Sequence, residues 1–197
     1  HYIHQVHKIL EEKEKDPFAS YNDSLRLKAR RYITKHLLKL NHEVFGWYPY
    51  WEDSYYKELN YSLISTIAYF SYEVDPKTGN AKDIHDWKTT PVVDSAKANN
   101  CKVLLTVTNF EEKNNKTLLR NSKAVDNLIE NLFSLIQEQE AHGVCIDFEG
   151  VRGSDKDYFT EFITKLHEQF KKKKYEIYVA VPAVDWYKSL DFEKLNG

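Results

Sequence analysis

From Glu43 onward, short apolar runs alternate with helical stretches, and this alternation limits the possible folds more than any other feature. Val44–Trp51 (VFGWYPYW) reads as the first strand and Ser65–Val74 (STIAYFSYEV) as the second. Lys102–Phe110 (KVLLTVTNF), Gly143–Gly150 (GVCIDFEG) and Glu176–Pro182 (EIYVAVP) supply three more. Three helices are predicted between them. Thr90 and Pro91 start one that runs to about Asn99. Ser122 opens the next, with Val125, Leu128, Ile129, Leu132 and Ile136 on one face. Ser154 and Asp157 read as a capping box before a stripe of Phe159, Phe162, Ile163, Leu166 and Phe170. Asp53–Leu59 is long enough only for a short helix. Strand alternating with helix is the mark of a parallel sheet, and VLLTV and YVAV read as strands buried on both faces. A doubly wound sheet and a (β/α)8 barrel both satisfy this pattern. Gly46 stands alone in the first strand, without the glycine-rich phosphate loop of a dinucleotide site.

Residues 1–42 differ in kind: highly charged, helical, with no strand-like run. One helix is expected over Ile3–Lys15, stopping before Pro17, and a second over Ser24–Leu40. The simplest role for this segment is a helical extension that packs on the main domain; partner binding or a linker is the alternative. The 28 basic and 30 acidic residues give a net charge of −2, which argues against a partner held by global electrostatics, nucleic acid included. The Lys171–Lys174 run ends a helix, where positive charge suits the dipole and solvent. No apolar run reaches the roughly 18 residues of a membrane span. Cys101 and Cys145 are too few for a disulfide scaffold and lack metal-ligand spacing, so neither metal nor cofactor is expected. With His1 first and no Met in 197 residues, the natural start is expected to lie outside this chain, any signal peptide having been removed.

The candidate chemistry sits at the end of the fourth strand. Residues two apart in a strand point the same way, so Cys145, Asp147 and Glu149 should share a face. Asp147 and Glu149 fall at the C-terminal end, where parallel α/β enzymes place their sites. Their Cα atoms would be about 6.5–7 Å apart. Two shielded carboxylates that close cannot both ionise without cost, so one should hold a proton near neutral pH. A protonated acid beside an ionised partner is what glycosidic cleavage needs. Aromatic residues Trp47, Trp51, Phe70, Tyr72 and Phe110 fall near predicted strand ends, where flat rings could hold the apolar faces of sugars. Asn109 could add a polar contact there, or satisfy a loop.

HGVCIDFE (His142–Glu149) resembles the fourth-strand motif of the family 18 glycoside hydrolases, the chitinase-like enzymes, which runs Asp-x-x-Asp-x-Asp-x-Glu. FGWYPYW resembles that family's aromatic first strand, IAYFSYEVD with Thr78-Gly79 its second strand and turn, VLLTVTNF its third and YVAVPA its fifth. The resemblance implies a TIM-type barrel, here about the first five β/α units over 43–197 after the helical extension. It implies retaining hydrolysis of β-linked N-acetylglucosamine polymers, with the substrate's own acetamido oxygen as nucleophile. Glu149 matches the general acid, and Asp147 the residue that orients the acetamido group and stabilises its developing positive charge. The polymeric substrates imply secretion or a place in the cell envelope.

The match departs from the family at two acids, with His142 in place of the first Asp and Cys145 in place of the second. A thiol is a weak donor, and Cys145 reads as a core-filling residue. Those losses keep open a second reading, a glycan-binding protein without turnover, and the N-terminal helices a third, a scaffold. A full barrel needs eight strands and typically about 250 residues. Five strands by themselves would leave unpaired edges, so poor hydrolysis and self-association through those edges are expected of this chain.

Overall fold

All five apolar runs become parallel strands in the computed structural model, which describes residues 40–195. The two expected N-terminal helices fall, but for Leu40, outside these residues. The chain divides into two compact units, residues 1–42 and 43–197. The second is built on strands β1 (Phe45–Pro49), β2 (Thr66–Val74), β3 (Ala81–Asp83), β4 (Lys102–Thr108), β5 (Gly143–Asp147) and β6 (Glu176–Val179). They lie in the order β1-β2-β4-β5-β6, every pair parallel, with β3 antiparallel on β2. Each parallel strand is thus added on the same side as the last. A doubly wound sheet reverses its strand order at the point where ligands bind. No reversal occurs here, and the sheet is an arc of a (β/α) barrel.

The helices are α1 (Pro91–Ala98), α2 (Glu112–Leu119), α3 (Ser122–Glu138), α4 (Lys156–Phe170) and the short α5 (Phe192–Leu195). The main core lies between strands and helices. Ile67, Tyr69, Val103, Leu105, Val107, Val144 and Ile146 point outward and meet Leu128, Leu132, Phe162 and Leu166 of α3 and α4. The other face of the same strands lines the lumen, where Ala68, Leu104 and Cys145 form a small buried layer against Phe45 and Tyr178. Strands buried on both faces explain the near-continuous apolar runs.

At the N-terminal end of the lumen the two ends of the arc meet through side chains. The Tyr178 ring stacks on Phe45 with centroids 5.6 Å apart. Its hydroxyl donates to the Glu43 carboxylate at 2.6 Å, and the Thr66 hydroxyl donates to the same oxygen at 2.5 Å. These bonds hold the Glu43 carboxyl below the usual range, with Thr66 the larger contributor. Lys102 lies between Glu176 at 2.8 Å and Glu43 at 3.6 Å.

Several local expectations change. Thr90 caps α1 and Ser122 opens α3 as expected, with Asn121 before it as the cap whose side chain accepts from the Ala124 N–H. The Ser154 capping box does not form: α4 begins at Lys156, and Ser154 donates instead to Asp155, whose other oxygen takes the Arg120 guanidinium at 2.7 Å. A buried ion-pair partner outcompetes a box that a free helix end would favour. The short helix expected over Asp53–Leu59 is a 3-10 helix that spans Tyr50–Lys57 and breaks at Asp53, whose φ is 41°. The antiparallel β3 and the polar α2 (EKNNKTLL) carry too little periodicity to be read from sequence.

The turn between β2 and β3 docks on α3. Gly79 has φ +74°, and a Cβ there would run into the Ala124 carbonyl and the Leu128 N–H. Gly79→Ala therefore combines a left-handed backbone with a collision against helix backbone. It should cost at least about 2 kcal/mol, a fall of roughly 4–8 °C in melting temperature. An unchanged thermal transition would show that this turn is not seated on α3.

Candidate active site

The C-terminal ends of the parallel strands share one rim, and a cleft of about 610 Å³ opens there. Register puts Asp147 opposite Thr108 and Cys145 opposite Thr106. Cys145 lies in the lumen layer, and Asp147 stands one step above it on the same face. Glu149 follows two residues later in an exposed turn. Between them Phe148 points the other way and anchors the segment, its ring stacked on Phe162 at 5.4 Å. Both acids line the cleft.

The electrostatics follow from depth. Burial first, and the charge of Glu149 second, raise the Asp147 carboxyl above its usual value. Burial, with the charge of Asp147 behind it, pushes the Cys145 thiol up to about 12, so it stays protonated. Where the resembled motif has a second buried carboxylate, this lumen holds a neutral thiol. His142 stands at the far end of β5, its Nδ1 accepting from the Val103 N–H at 3.0 Å, and burial lowers its pKa.

Three of the expected sugar-binding aromatics meet at the cleft: Trp47, Trp51 and Phe70. Trp51 stands edge-on to Phe70 with centroids 6.0 Å apart. Behind it Tyr50 stacks on His85 at 3.5 Å, and the His85 Nε2 lies 3.1 Å from the Glu73 carboxylate.

Tyr72 does not join them. The ladder between β2 and β4 shifts between Phe70 and Tyr72, so that Phe70 pairs with Thr106 but Tyr72 with Val107. The irregularity turns Tyr72 to the helix side, where it is buried and donates to the Gly79 carbonyl at 2.8 Å. Asn109 is also placed differently, buried with its amide donating to Asn115 Oδ1 at 2.9 Å. Phe110 is exposed just past β4 and does not line the cleft.

A further wall of the cleft holds one more strand-end aromatic, Trp186. It comes from the segment after β6, with Val181, Val184, Trp186 and Tyr187. The Arg152 guanidinium lies 3.8 Å over the Tyr187 ring while its Nε binds Glu112 at 2.8 Å, joining the loops after β4, β5 and β6. The apolar run VAVPAVDW was the available signal. Among the described residues no three His, Cys, Asp or Glu side chains group so as to hold a metal ion.

Comparison with known proteins agrees with this fold. The family model described as glycosyl hydrolases family 18 matches residues 43–197. The Bacillus subtilis (strain 168) protein named "Putative sporulation-specific glycosylase YdhD" is 28% identical over 138 residues, covering 65% of this chain and 32% of its own length. Its crystal structure superposes with a TM-score of 0.60 at 26% identity, over 66% of this chain and 46% of that one. The spore cortex-lytic enzyme SleL of Bacillus megaterium QM B1551 gives 0.67 at 20% identity, over 80% and 40%. A chitinase from Bacteroides thetaiotaomicron gives 0.65 at 20% identity, over 75% and 48%. These last two share the fold. The chain spans about a third of the curated relative and under half of each of these solved chains.

The raised Asp147 pKa has a consequence for stability. A carboxyl that holds its proton more tightly when folded favours the native state fully only below its unfolded value of about 3.8, and that contribution is lost as pH rises through the native value. Asp147→Asn removes the buried charge. It should melt above the parent protein at pH 7, with the difference narrowing toward pH 4. Paired melting curves across that range check this, and a difference that widens toward acid pH contradicts it.

Proposed function

The chain belongs to glycosyl hydrolase family 18, and from that premise we propose that it carries the acid machinery of a retaining glycosidase acting on β-linked N-acetylglucosamine glycans of the chitin, chitooligosaccharide or peptidoglycan type. One observation carries the reading: Asp147 and Glu149 stand together at the rim of an aromatic-walled cleft, one sunk toward the lumen and the other open to it.

In this reading Glu149, exposed and on a turn, protonates the leaving oxygen. Asp147, deeper, orients the acetamido group, whose carbonyl oxygen attacks the anomeric carbon from the opposite side. It also balances the positive charge that develops on the cyclised group. No enzyme nucleophile is then required. Trp47, Trp51 and Phe70 take the apolar faces of the sugar rings, with the Trp186 segment closing the other side. Such polymers lie outside cells or in their envelopes, and the reading sets the protein there with them.

A second reading has one specific observation behind it. Cys145, one step beneath Asp147, offers only a weak thiol donor where a carboxylate would share a proton. That favours a chitinase-like binding protein that holds a glycan without cutting it. Calorimetric binding of chitooligosaccharide with no release of reducing ends would select it.

Two outcomes test the enzymatic reading. In any form of the protein that turns over an N-acetylglucosamine oligomer, Glu149→Gln should lower kcat by about 10²–10⁴-fold; unchanged turnover would sink the assignment. Residues 1–197 by themselves should turn over slowly and self-associate. Among the described residues β1 and β6 each have one strand neighbour, which leaves an unpaired backbone edge on both sides of the arc. Light scattering beside the same assay measures both, and a monodisperse monomer with substantial turnover would refute the pair.

A further inference from the structure

One buried side chain has a role that neither the motif nor the cleft accounts for. The inner face of α2 consists of Asn115, Leu118 and Leu119, and Asn115 is 1% exposed. An amide at such a position costs free energy unless both its ends are bonded, and an aliphatic residue would serve packing better. Both ends are bonded. Oδ1 accepts from the Asn109 amide at 2.9 Å, and Nδ2 donates to the backbone carbonyl of Glu149 at 2.7 Å.

The same short segment holds the other acid. The Asn109 N–H donates to the Asp147 carbonyl at 3.3 Å, where the ladder between β4 and β5 runs out. Residues 109–115 therefore grip the backbone carbonyls of both carboxylate residues. Two further contacts press the turn onto α2. Gly150, at φ +84°, would bring a Cβ within 3.2 Å of the Glu112 nitrogen, and Arg152 binds the Glu112 carboxylate. Glu149 is thus fixed from below by the Phe148 ring and from the side by Asn115, while the residue lines the cleft. A neutral donor does this without placing a formal charge beside the two carboxylates.

We propose that Asn115 is a positioning residue for Glu149, setting through its carbonyl the place from which the acid reaches the leaving oxygen. The proposal rests on reading Glu149 as the general acid. Displacement of a reacting group by about 1 Å can cost 10²-fold in rate, while ground-state sugar contacts are untouched.

The test uses two substrates in a form of the protein with measurable turnover: an N-acetylglucosamine oligomer, whose leaving group needs a proton, and a 4-nitrophenyl glycoside, whose leaving group hardly does. Asn115→Ala should lower kcat on the oligomer by about 10–100-fold, leave KM within about twofold, and change the 4-nitrophenyl rate by less than about threefold. Glu149→Gln is the reference and should show the same selectivity more strongly. If Glu149→Gln shows it and Asn115→Ala slows both substrates alike, Asn115 is merely structural and this proposal fails alone. If Glu149→Gln lacks the selectivity, the acid reading fails and takes this one with it. Should Asn115→Ala lose its cooperative melt, Asn115→Leu decides, since it keeps the size and removes the amide donor without adding a charge. Loss of folding in both variants would overturn the proposal.

Discussion

The parallel ladder determines which side chains can meet. With Ala68 opposite Leu104, Leu104 opposite Gly143 and Cys145 opposite Thr106, alternate residues of each strand face the lumen and the rest face the helices. A shift of one residue would exchange the two sets, sending Ile67, Leu105 and Ile146 inward and Asp147 into the helical core. Burial on the helix side makes that exchange prohibitive. Asp147 is thereby held at the rim by the packing of its neighbours, and the acid site is a by-product of the outer core.

The same register explains an uneven electrostatic landscape. The lumen deepens from solvent at Glu149, through the half-buried Asp147, to the closed layer around Cys145. Each step down raises the cost of a negative charge, and the chain responds by replacing charge with neutral groups. A thiol lies beneath the carboxylates, and a primary amide holds them from the side. The charged contacts are displaced outward, to Arg152 with Glu112 on the loops and to Lys102 with Glu43 and Glu176 at the opposite end of the lumen.

Much of this was legible in the residues. The five parallel strands, three of the helices and the acid pair are all carried by local patterns of period 2 or 3.6, or by a motif, that survive tertiary contact. What was not legible depends on geometry between strands. Tyr72 follows Phe70 by two residues, and alternation alone puts both at the site. Only the irregular pairing with β4 reveals that Tyr72 has turned to Gly79. Asn109 and Asn115 look like ordinary polar loop and helix residues, because their partners are another amide and a carbonyl 34 residues away from Asn115. Ser154 shows the converse: a sound capping signal lost to the competing claim of Arg120 on Asp155.

The contact between Glu43 and Tyr178 joins positions 135 residues apart. Chains rich in such distant pairings pass the entropy of loop closure before the reward arrives, and they fold slowly. During synthesis, residues 43–110 can assemble β1, β2 and β4, yet the floor of the lumen has no Tyr178 to stack on Phe45 until β6 has left the ribosome. The nascent sheet therefore spends that interval with Phe45 uncovered and Glu43 lacking one of its two hydroxyl donors. At the roughly 5–20 residues per second of translation, that interval lasts several seconds. The window for chaperone capture, or for mispairing with a neighbouring nascent chain, is set by the distance in sequence between two side chains that end 2.6 Å apart.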